Sequence, residues 1–329
     1  MICVVCSDDK DVKKHYGVNC CYGCKGFFRR TVNEEKNYTC SNGGNCPVLK
    51  DPSLNLVNFL SSMAKRTLEV HDPEYETVQP HEWSRISQEK CNREISLIEG
   101  IKNPEKVCPR TKWDFSYSRP ASNLDIAFMW YRSFVAVVDW AKNIPEFRML
   151  LDEDQAQLLR LNFTTLSFMV FSQSPVEINS EILPLGNGSY VGGEGSGLKD
   201  LYCSIMGAYI QHIVNPLKEV DTDPSEFALL STIHLFQYFE GLSPEGRKIA
   251  KNYVDSLYDA FFDYQILRFP KASAKERTRR QTKILMIIAK MPQIWAAESD
   301  IHLMLSTFNE VNIDGIPKEL LFYRFGVRT

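Results

Sequence analysis

The sequence predicts a small metal-stabilised module followed by a larger, mostly α-helical domain. Seven of the ten cysteines of the 329-residue chain lie in the first 46 residues, amid charged sequence that offers no apolar core of its own. Beyond residue 53, apolar residues recur at spacings of three and four, the period of amphipathic helices. We therefore predict a cysteine-rich domain at 1–46, a junction at 47–52 and a helical domain at 53–329 that can bury a sizeable core.

Two close cysteine pairs predict the metal. Cys3-x2-Cys6 is followed after 14 residues by Cys21-x2-Cys24, and four thiolates at this spacing suit a tetrahedral Zn²⁺ site. Four unrelated buried thiols are the poorer interpretation, because the segment has no core to bury them in. Cys20 could replace Cys21, but its x3 spacing to Cys24 fits less well, so Cys20 is predicted to be a spare thiol.

A second cysteine pair stands without a partner. Cys40-x5-Cys46 opens another module, yet the next cysteines are Cys91 and Cys108, and no C-x2-C closes the site. Two thiolates hold zinc more weakly than four. The sequence thus predicts one firm zinc site and an incomplete second site at Cys40 and Cys46.

A basic helix is predicted immediately after Cys21, extending to about Asn33. Lys25 and Arg29 lie one turn apart on one face, while Phe28 belongs to a face that is expected to pack. A metal at the helix start would fix its angle, so that Lys25 reaches base edges in a major groove and Arg29 or Arg30 contacts phosphates. A solvated charge run is the alternative, and the adjacent metal site disfavours it.

Charge and composition limit the classes of protein to which the chain can belong. The chain carries a net charge of −3, but residues 1–50 hold eight Lys or Arg against five Asp or Glu, so the basic character is local. The first ten residues lack the apolar stretch and cleavage site of a secretory signal, which favours thiols kept as metal ligands in a reducing compartment. No run of 18 apolar residues occurs, so no membrane partner is expected.

The helical domain is predicted from hydrophobic spacing and from start and stop signals. Pro145 stops one helix, and Asp152 with Gln155 resembles a capping box that opens the next. Asp223-Pro224 and Ser243-Pro244 each pair an N-cap residue with proline at the first helical position. A long loop is expected after residue 100. The predicted helices cover residues 54–68, 83–100, 124–143, 152–172, 198–217, two further helices from the Asp-Pro and Ser-Pro starts, and 273–308.

No part of the sequence predicts an enzyme. The glycine-rich segment 186–193 lacks both the Gly-Lys-Ser/Thr ending of a P-loop and a clear strand-to-helix setting, so a flexible hairpin tip is the better interpretation. His212, His234 and His302 stand singly in helical patterns, where a packed or surface histidine is usual.

Two motifs of the first module carry a resemblance. His15-Tyr16-Gly17-Val18 and the run Cys24-Lys25-Gly26-Phe27-Phe28-Arg29-Arg30, together with the four cysteines, resemble the DNA-binding domain of nuclear hormone receptors. The resemblance implies a specificity box at Tyr22, Gly23 and Gly26, and makes Lys25 the base-contacting lysine. The DNA-binding residues that it implies are His15, Tyr16, Tyr22, Gly23, Lys25, Gly26, Arg29 and Arg30.

The second module departs from that family. Its members normally continue with nine residues, a C-x2-C pair, a second helix and a basic extension, whereas Asp51-Pro52 follows almost at once here. At least 20 residues of the pattern are missing, including the part that braces the reading helix. The resemblance therefore implies double-stranded DNA as a partner, with weakened sequence-specific binding.

A second resemblance lies in the helical domain. Residues 134–147 and 151–160 resemble the ligand-binding-domain signature of the same receptors, in the style of the divergent receptors expanded in nematodes. It implies the mostly α-helical sandwich of a nuclear-receptor ligand-binding domain. In that fold Trp140, Phe147 and Leu158 would lock three helices together.

The resemblance also implies a groove for transcriptional coregulators, formed by Lys142, Gln155, Leu158 and Leu159. Lys142 would cap the C-terminal carbonyls of a short Leu-rich partner helix, favoured by the dipole of that helix. An ordinary solvated lysine is the alternative. The C-terminal segment 318–325 places its acid before the hydrophobic residues, so constitutive or repressive behaviour stands beside ligand-dependent activation.

A lipophilic ligand is left open. One face of the 124–143 helix and the facing part of the next helix would line its pocket, and core packing explains the same residues equally well. The family's arginine near Ser174 is absent, so a polar end of a ligand has no clear anchor. The weak pocket assignment comprises Ala127, Trp130, Phe134, Phe168, Phe171 and Ser174.

Two functions from different classes remain. The first is a zinc-dependent, nuclear, receptor-type transcription factor, and the second is a non-DNA-binding protein that dimerises through the 273–308 helix and sequesters partners. Lys275, Arg277, Arg279 and Arg280 at the start of that helix predict either a nuclear-import cluster or a solvated helix start.

Overall fold

A computed structural model gives the architecture. It describes residues 3, 11–15, 18–33, 52–178, 182–191, 207–294, 296, 300 and 313–323. The predicted site residues Cys6, Tyr16, Cys40 and Cys46 lie outside these ranges. None of the helices in the described part of the chain has the length and apolarity that a bilayer span requires.

The N-terminal module is a hairpin followed by a helix. Strands β1 (Val12–His15) and β2 (Val18–Cys21) pair antiparallel, with Val12 opposite Cys21. Helix α1 (Tyr22–Asn33) starts at the next residue. The helix start and end agree with the prediction, whereas the hairpin was not predicted.

The helical domain has eleven helices with defined bounds among the described residues. A π-helical turn (Ile210–Val214) leads directly into α8. The helices are α2 (Pro52–Glu69), α3 (Pro80–Lys90), α4 (Leu97–Lys102), α5 (Asn123–Lys142), α6 (Pro145–Met149), α7 (Asp152–Ile178), α8 (Asn215–Glu219), α9 (Pro224–Gln237), α10 (Pro244–Arg268), α11 (Ala274–Ile288) and α12 (Gly315–Phe322).

Side-chain caps fix where these helices begin. Asp223 accepts a hydrogen bond from the Glu226 amide while Glu226 reaches back to the Asp223 amide, and Pro224 occupies the first turn of α9. Ser243 caps α10 in the same position relative to its proline. Each such cap contributes about 1 kcal/mol, and both helix starts confirm the predicted Asp-Pro and Ser-Pro signals.

Two predicted helices are shorter than expected. The segment 83–100 is divided between α3 and α4, because the Asn92 side chain accepts a hydrogen bond from the Glu94 amide and turns the chain. The helix predicted over 273–308 ends at Ile288, and a separate helical turn follows at 291–294. Pro292 has no N–H to donate to the carbonyl of Ile288, so a continuous helix is disfavoured there.

A small sheet replaces two expected loops. Strands β3 (Asp114–Pro120), β4 (Leu183–Pro184) and β5 (Asn187–Val191) lie in the order β3-β5-β4, with β3 parallel and β4 antiparallel to β5. Gly186, with φ of 76°, forms the β4–β5 turn. The predicted flexible tip at 186–193 is therefore wrong for residues 187–191, which form a largely buried strand.

A buried polar network holds this sheet to the start of α5. Asp125 is 1% exposed and accepts two hydrogen bonds from the Arg119 guanidinium, at 2.6 and 2.7 Å. The Asn187 amide of β5 donates to the same carboxylate at 2.7 Å, and Ser84 of α3 donates to it as well. Three elements that are distant in sequence thus meet at one carboxylate.

Helix α5 is the centre of the core. Sixteen of its twenty residues are buried, which is the pattern of a helix surrounded on every side. Helix α2 packs against α5, α9 and α10, and α7 also packs against α5. The Arg132 guanidinium lies inside this arrangement, donating to the Thr111 carbonyl and stacking on Trp113, and burial lowers the pKa of Arg132 to about 10.

Candidate functional site

Three thiols meet where the β-hairpin joins α1. The sulfur atoms of Cys3, Cys21 and Cys24 all lie within 4.8 Å of one another. The backbone amide of Cys24 also donates to the Cys21 sulfur at 3.4 Å, as expected at the start of a helix. Tetrahedral zinc with Zn–S bonds of about 2.3 Å needs sulfurs about 3.8 Å apart, so the arrangement fits the metal. The predicted fourth ligand, Cys6, lies outside the described residues.

The strand geometry separates Cys21 from Cys20. Neighbouring residues of a strand point to opposite faces, and Cys20 stands opposite Lys13 while Cys21 stands opposite Val12. Both cysteines are buried, at 4% and 6% exposure. Among the described residues, the thiol group that could hold a metal includes Cys21 and leaves Cys20 out.

Helix α1 presents a polar and aromatic surface next to the thiols. The Lys25 ammonium lies 4.8 Å from the centre of the Tyr22 ring, and the His15 ring meets the same ring edge-on at 5.7 Å. Partial burial, followed by the charges of Lys25 and Lys13, lowers the pKa of His15. Lys25 is thus the cation that lies against the Tyr22 ring.

The remaining predicted DNA-binding residues follow along the same helix. Gly23, Gly26 and the exposed Arg29 lie on α1; Arg30 also lies on α1, with its side chain outside the described part. Phe28 was predicted to pack, but it is 52% exposed. In the described residues, the cluster packed beneath α1 is limited to Cys3, Cys20 and Cys21 with Val12 and Cys24 at its edge, too few to cover an aromatic face.

The residues of the predicted coregulator groove lie at the junction of α5 and α7. The Lys142 ammonium donates at 2.8 Å to the carbonyl of Lys102, the last residue of α4. Gln155 donates to the Leu150 carbonyl at 3.1 Å, while Leu158 and Leu159 are fully buried. Lys142 thus caps a helix of the same chain, which the sequence did not predict.

The C-terminal helix closes one side of this junction. Glu319 of α12 forms an ion pair with Arg160 of α7 at 2.7 Å, and the Tyr323 hydroxyl donates to Gln157 at 3.1 Å. The Tyr131 hydroxyl of α5 donates to the Asp314 carbonyl just before α12 at 2.8 Å, and burial raises the pKa of Tyr131 to about 12. The acid that comes early in the C-terminal segment therefore has a partner, which sequence analysis missed.

The described aromatic side chains of the predicted ligand pocket pack against one another. The Trp130 ring lies 6.0 Å from Phe163 and 5.8 Å from Phe168, and the Phe134 ring lies 6.1 Å from Phe163. Ala127 is 6% exposed beside them. Phe171 and Ser174 belong to α7, with side chains outside the described residues. For the side chains that the structure describes, core packing fits this face better than a ligand pocket does.

A small cavity lies elsewhere in the core. It has a volume of about 40 Å³ and is lined by residues of α2, α5, α7 and α9, including Trp140 and Met169. Ligand pockets for drug-sized molecules are typically about 300–1,000 Å³. This cavity is too small for a lipophilic ligand of that size.

The basic residues at the start of α11 divide into two groups. Arg280 donates to the Val220 carbonyl at 2.9 Å and pairs with the buried Glu226, and Arg277 donates to the Phe269 carbonyl at 3.3 Å. Lys275 and Arg279 are exposed. Because two of the four cations are engaged within the fold, the proposed import cluster has two accessible charges.

Comparisons with known proteins agree with this arrangement. Residues 111–305 match the family described as the ligand-binding domain of nuclear hormone receptor. Residues 1–54 match the C4-type double treble clef zinc finger, so the zinc-finger match extends beyond the boundary predicted at residue 46.

Curated relatives align with almost the whole chain. Nuclear hormone receptor family member nhr-69 of Caenorhabditis elegans is 25% identical over 97% of this chain and 90% of its own length. Family member nhr-100 of the same organism is 22% identical over 92% and 84%. The transcription factor HNF-4 homolog of Drosophila melanogaster is 27% identical over 97% of this chain, which spans 46% of that relative.

Proposed function

The chain belongs to the nuclear hormone receptor family, and on this premise we propose that it is a nuclear transcription regulator whose α1 binds duplex DNA through a zinc-anchored basic face. The observation that carries the proposal is the thiol group of Cys3, Cys21 and Cys24 at the first turn of α1, with Lys25 and Arg29 projecting from the same helix. A C4 zinc finger binds zinc, and the metal would fix the helix relative to the hairpin.

The dimensions of α1 suit a major groove. Its 12 residues span about 18 Å at 1.5 Å per residue, and the groove of B-DNA, about 12 Å wide, admits a helix. Lys25 is near the metal end, where the helix is best fixed, so we propose it as the base-contacting residue. Arg29 lies one turn further and is proposed to contact phosphate.

The strength of this binding is proposed to be low. The sequence supplies two thiols, Cys40 and Cys46, for a second site that requires four, so the support that a complete second module gives to the reading helix is reduced. We therefore expect weak binding without a preferred site. Each phosphate neutralised contributes about 0.9 to the slope of log affinity against log salt.

We further propose that the helical domain needs no ligand to keep its shape. Support comes from the aromatic rings of Trp130, Phe134, Phe163 and Phe168, which contact one another in the space where a lipophilic ligand would lie. A domain that fills this space itself is proposed to act constitutively or as a repressor.

A second candidate function is sequestration of partners through α10 and α11. The observation that favours it is the exposure of apolar side chains on these helices, with Leu267 at 56% and Met286 at 61%. Beside Met286, a groove of about 500 Å³ runs between α11 and Pro216 of α8. Exposed apolar surface of this kind marks association sites, so dimerisation is proposed on this side.

Binding to labelled duplex tests the first function. Fluorescence anisotropy of the full chain with a random 20-base-pair duplex is expected to give a steep salt dependence, and Lys25→Gln is expected to weaken binding. Lys13→Gln on β1 is the matched control, because Lys13 is exposed in the same module but outside α1. If Lys25→Gln binds like wild type, Lys25 is not a contact residue; if wild type itself does not bind the duplex and forms dimers in light scattering, sequestration replaces DNA binding as the function.

Zinc stoichiometry gives an independent check. Native mass spectrometry of the full chain is expected to show one tightly held zinc. Two zinc ions would mean that further residues complete the site of Cys40 and Cys46, and the proposal of weak DNA binding would then be withdrawn.

A further inference from the structure

Helix α4 has the features of a ligand bound in the groove at α5 and α7. Its apolar residues Leu97 and Ile101 are 2% and 3% exposed, and with the buried Gly100 they occupy positions i, i+3 and i+4. This is the spacing by which an amphipathic helix lays one face into a groove. The helix has only six residues, and helices this short do not persist alone in water; its order therefore comes from where it lies.

The C-terminal end of α4 is held by two contacts, one to α5 and one to α7. At its C-terminal end, the Lys142 ammonium caps the Lys102 carbonyl at 2.8 Å, a favourable place for a cation because of the helix dipole. The Lys102 side chain pairs with Asp152 at the start of α7 at 2.5 Å. The lysine predicted to hold a partner helix thus holds α4 in the same manner.

The middle of α4 lies against α12 and α5. A side-chain carbon placed on Gly100 would stand 2.5 Å from the Ile316 side chain of α12 and 3.4 Å from the Phe134 ring of α5. Glycine is thus the residue that allows this close approach. Before α4, the Arg93 carbonyl lies where a side chain on Gly315 would meet it at 2.5 Å, so the segment also touches the start of α12.

We propose that α4 is a built-in occupant of the coregulator groove, and that an external coregulator helix binds only after α4 has left it. This inference rests on the coregulator binding that the family resemblance implies for the groove at Lys142, Gln155, Leu158 and Leu159, and adds a regulatory contact to it. The occupant and an external helix would use the same Lys142 cap and the same apolar crevice, so they are mutually exclusive.

The connections of α4 allow it to leave. The Asn92 amide donates to the Val107 carbonyl at 3.0 Å, so the segment between them is a loop closed at its base by a contact that need not break. Outside the apolar face, α4 is held by the Lys142 cap and by the ion pair of Lys102 with Asp152, whose two side chains are about half exposed. Exposed pairs of this kind contribute little.

Two peptides test the proposal by fluorescence anisotropy on the full chain. The first is a labelled peptide of this chain's residues 93–106, and the second is a labelled 13-residue helical peptide with leucines at i, i+3 and i+4. Wild type is expected to bind both weakly. Ile101→Glu, which places a charge in the crevice and ejects α4, is expected to bind both at least about tenfold more tightly, because the open fraction rises.

A second variant tests the proposal independently in case Ile101→Glu fails to fold. Gly100→Leu raises the helix propensity of α4, but the leucine side chain is too large for the space at Gly100. In this variant α4 can form a helix but cannot dock, so the two effects are separated. Glu99→Gln, on the outward side of α4, is the control and is expected to bind like wild type. Hydrogen exchange of amides 97–102 should accelerate in the two open variants, and thermal unfolding should show that the rest of the domain is intact.

The outcomes separate the two claims. If wild type and both open variants bind the Leu-rich peptide equally, the groove is a coregulator site but α4 does not block it, and this inference is overturned. If the open variants bind residues 93–106 but not the Leu-rich peptide, α4 is the ligand of the groove and its coregulator function fails. If neither peptide binds wild type or any variant, and Lys142→Ala leaves the hydrogen exchange of amides 97–102 unchanged, both claims fail.

Discussion

The zinc module and the helical domain obtain their order from different sources. In the described residues, the buried apolar cluster of the module consists of Cys3, Cys20 and Cys21, whereas that of the helical domain includes residues from α2 to α12. The module exposes large rings such as Phe27, at 52%, while Phe134 in the domain is fully buried. The difference teaches that one metal atom does for the first region what a packed core does for the second.

Removing one ligand should separate the two regions most strongly. Cys21→Ala is expected to abolish zinc binding and unfold α1, because the metal contributes about 10–16 kcal/mol to the folding of a structural zinc site. The helical domain should unfold at the same temperature as in wild type. Native mass spectrometry and circular dichroism measure the two effects.

Cys20→Ala is the matched control, since Cys20 is the buried neighbour on β2. It is expected to keep one zinc and to lose only the packing of a small side chain. Loss of zinc in this variant and retention in Cys21→Ala would reverse the ligand assignment.

The reverse experiment removes a ring from the core of the second region. Trp130→Ala deletes a side chain that contacts Phe163 and Phe168, and such truncations lower the free energy of unfolding by about 3–5 kcal/mol. The zinc count should remain one. Urea denaturation measures the loss, and Trp130→Phe is expected to lose less because it leaves a smaller void.

An unfolding midpoint that changes for the zinc module in Trp130→Ala would show that the two regions fold together. The zinc module and the helical domain would then form one cooperative folding unit that is stabilised by both the metal and the packed core. Zinc release monitored during the same denaturation distinguishes these cases, because independent regions release metal at a concentration of urea that the substitution leaves unchanged.

Lowering the pH should affect the zinc module and the helical domain differently, and the effects should be smaller than those of the substitutions above. Burial alone would raise the pKa of Asp125, but hydrogen bonds from Arg119, Ser122 and Ser84 outweigh it and hold that pKa well below its usual range. A depressed carboxyl pKa adds stability that is fully present above the unfolded value of about 3.9 and is lost as the pH falls through the folded value. Acid also weakens the zinc site, because the thiolate ligands must be deprotonated to hold the metal.

Asp125→Asn isolates the carboxylate contribution. At neutral pH it is expected to lower the free energy of unfolding by about 1.5–3 kcal/mol, the range for hydrogen bonds to a charged group. Below pH 4 its stability should fall less steeply than that of wild type. Parallel acid-limb slopes for the two proteins would contradict the assignment of this network.

What the sequence could predict depended on how local the signal was. The start of α1 and the caps at Asp223 and Ser243 involve residues a few positions apart, and each was found. Strand β3 was missed because its partner β5 lies about 70 residues away, and period alone does not reveal such pairings. The break before Pro292 was a local signal that the helical spacing outweighed.

The groove shows the same limit. Lys142 was identified as a helix-capping lysine from a resemblance, but the helix that it caps is 40 residues earlier in the same chain. Nothing in the residues around Lys142 indicates α4 as its partner. The helix at 97–102 overlaps only the end of the helix predicted over 83–100, and its separation from α3 depends on the turn at Asn92.

The smallest expected effect lies on the surface of the zinc module. Tyr22 holds the Lys25 ammonium over its ring, an interaction of about 0.5–1 kcal/mol at an exposed site. Tyr22→Leu is therefore expected to weaken duplex binding about two- to fivefold, because Lys25 is less well positioned. The salt slope should stay the same, since no phosphate contact is removed.

Tyr22→Phe keeps the ring and should bind like wild type in the same anisotropy titration. Wild-type affinity in this variant would show that the exposed Tyr22 ring orients the Lys25 ammonium, whereas the buried Trp130 ring stabilises the core by packing. If Tyr22→Leu instead loses zinc or α1 unfolds, the exposed aromatic residues also support the fold of the module. The metal would then share its structural role with a surface cluster around His15, Tyr22 and Lys25.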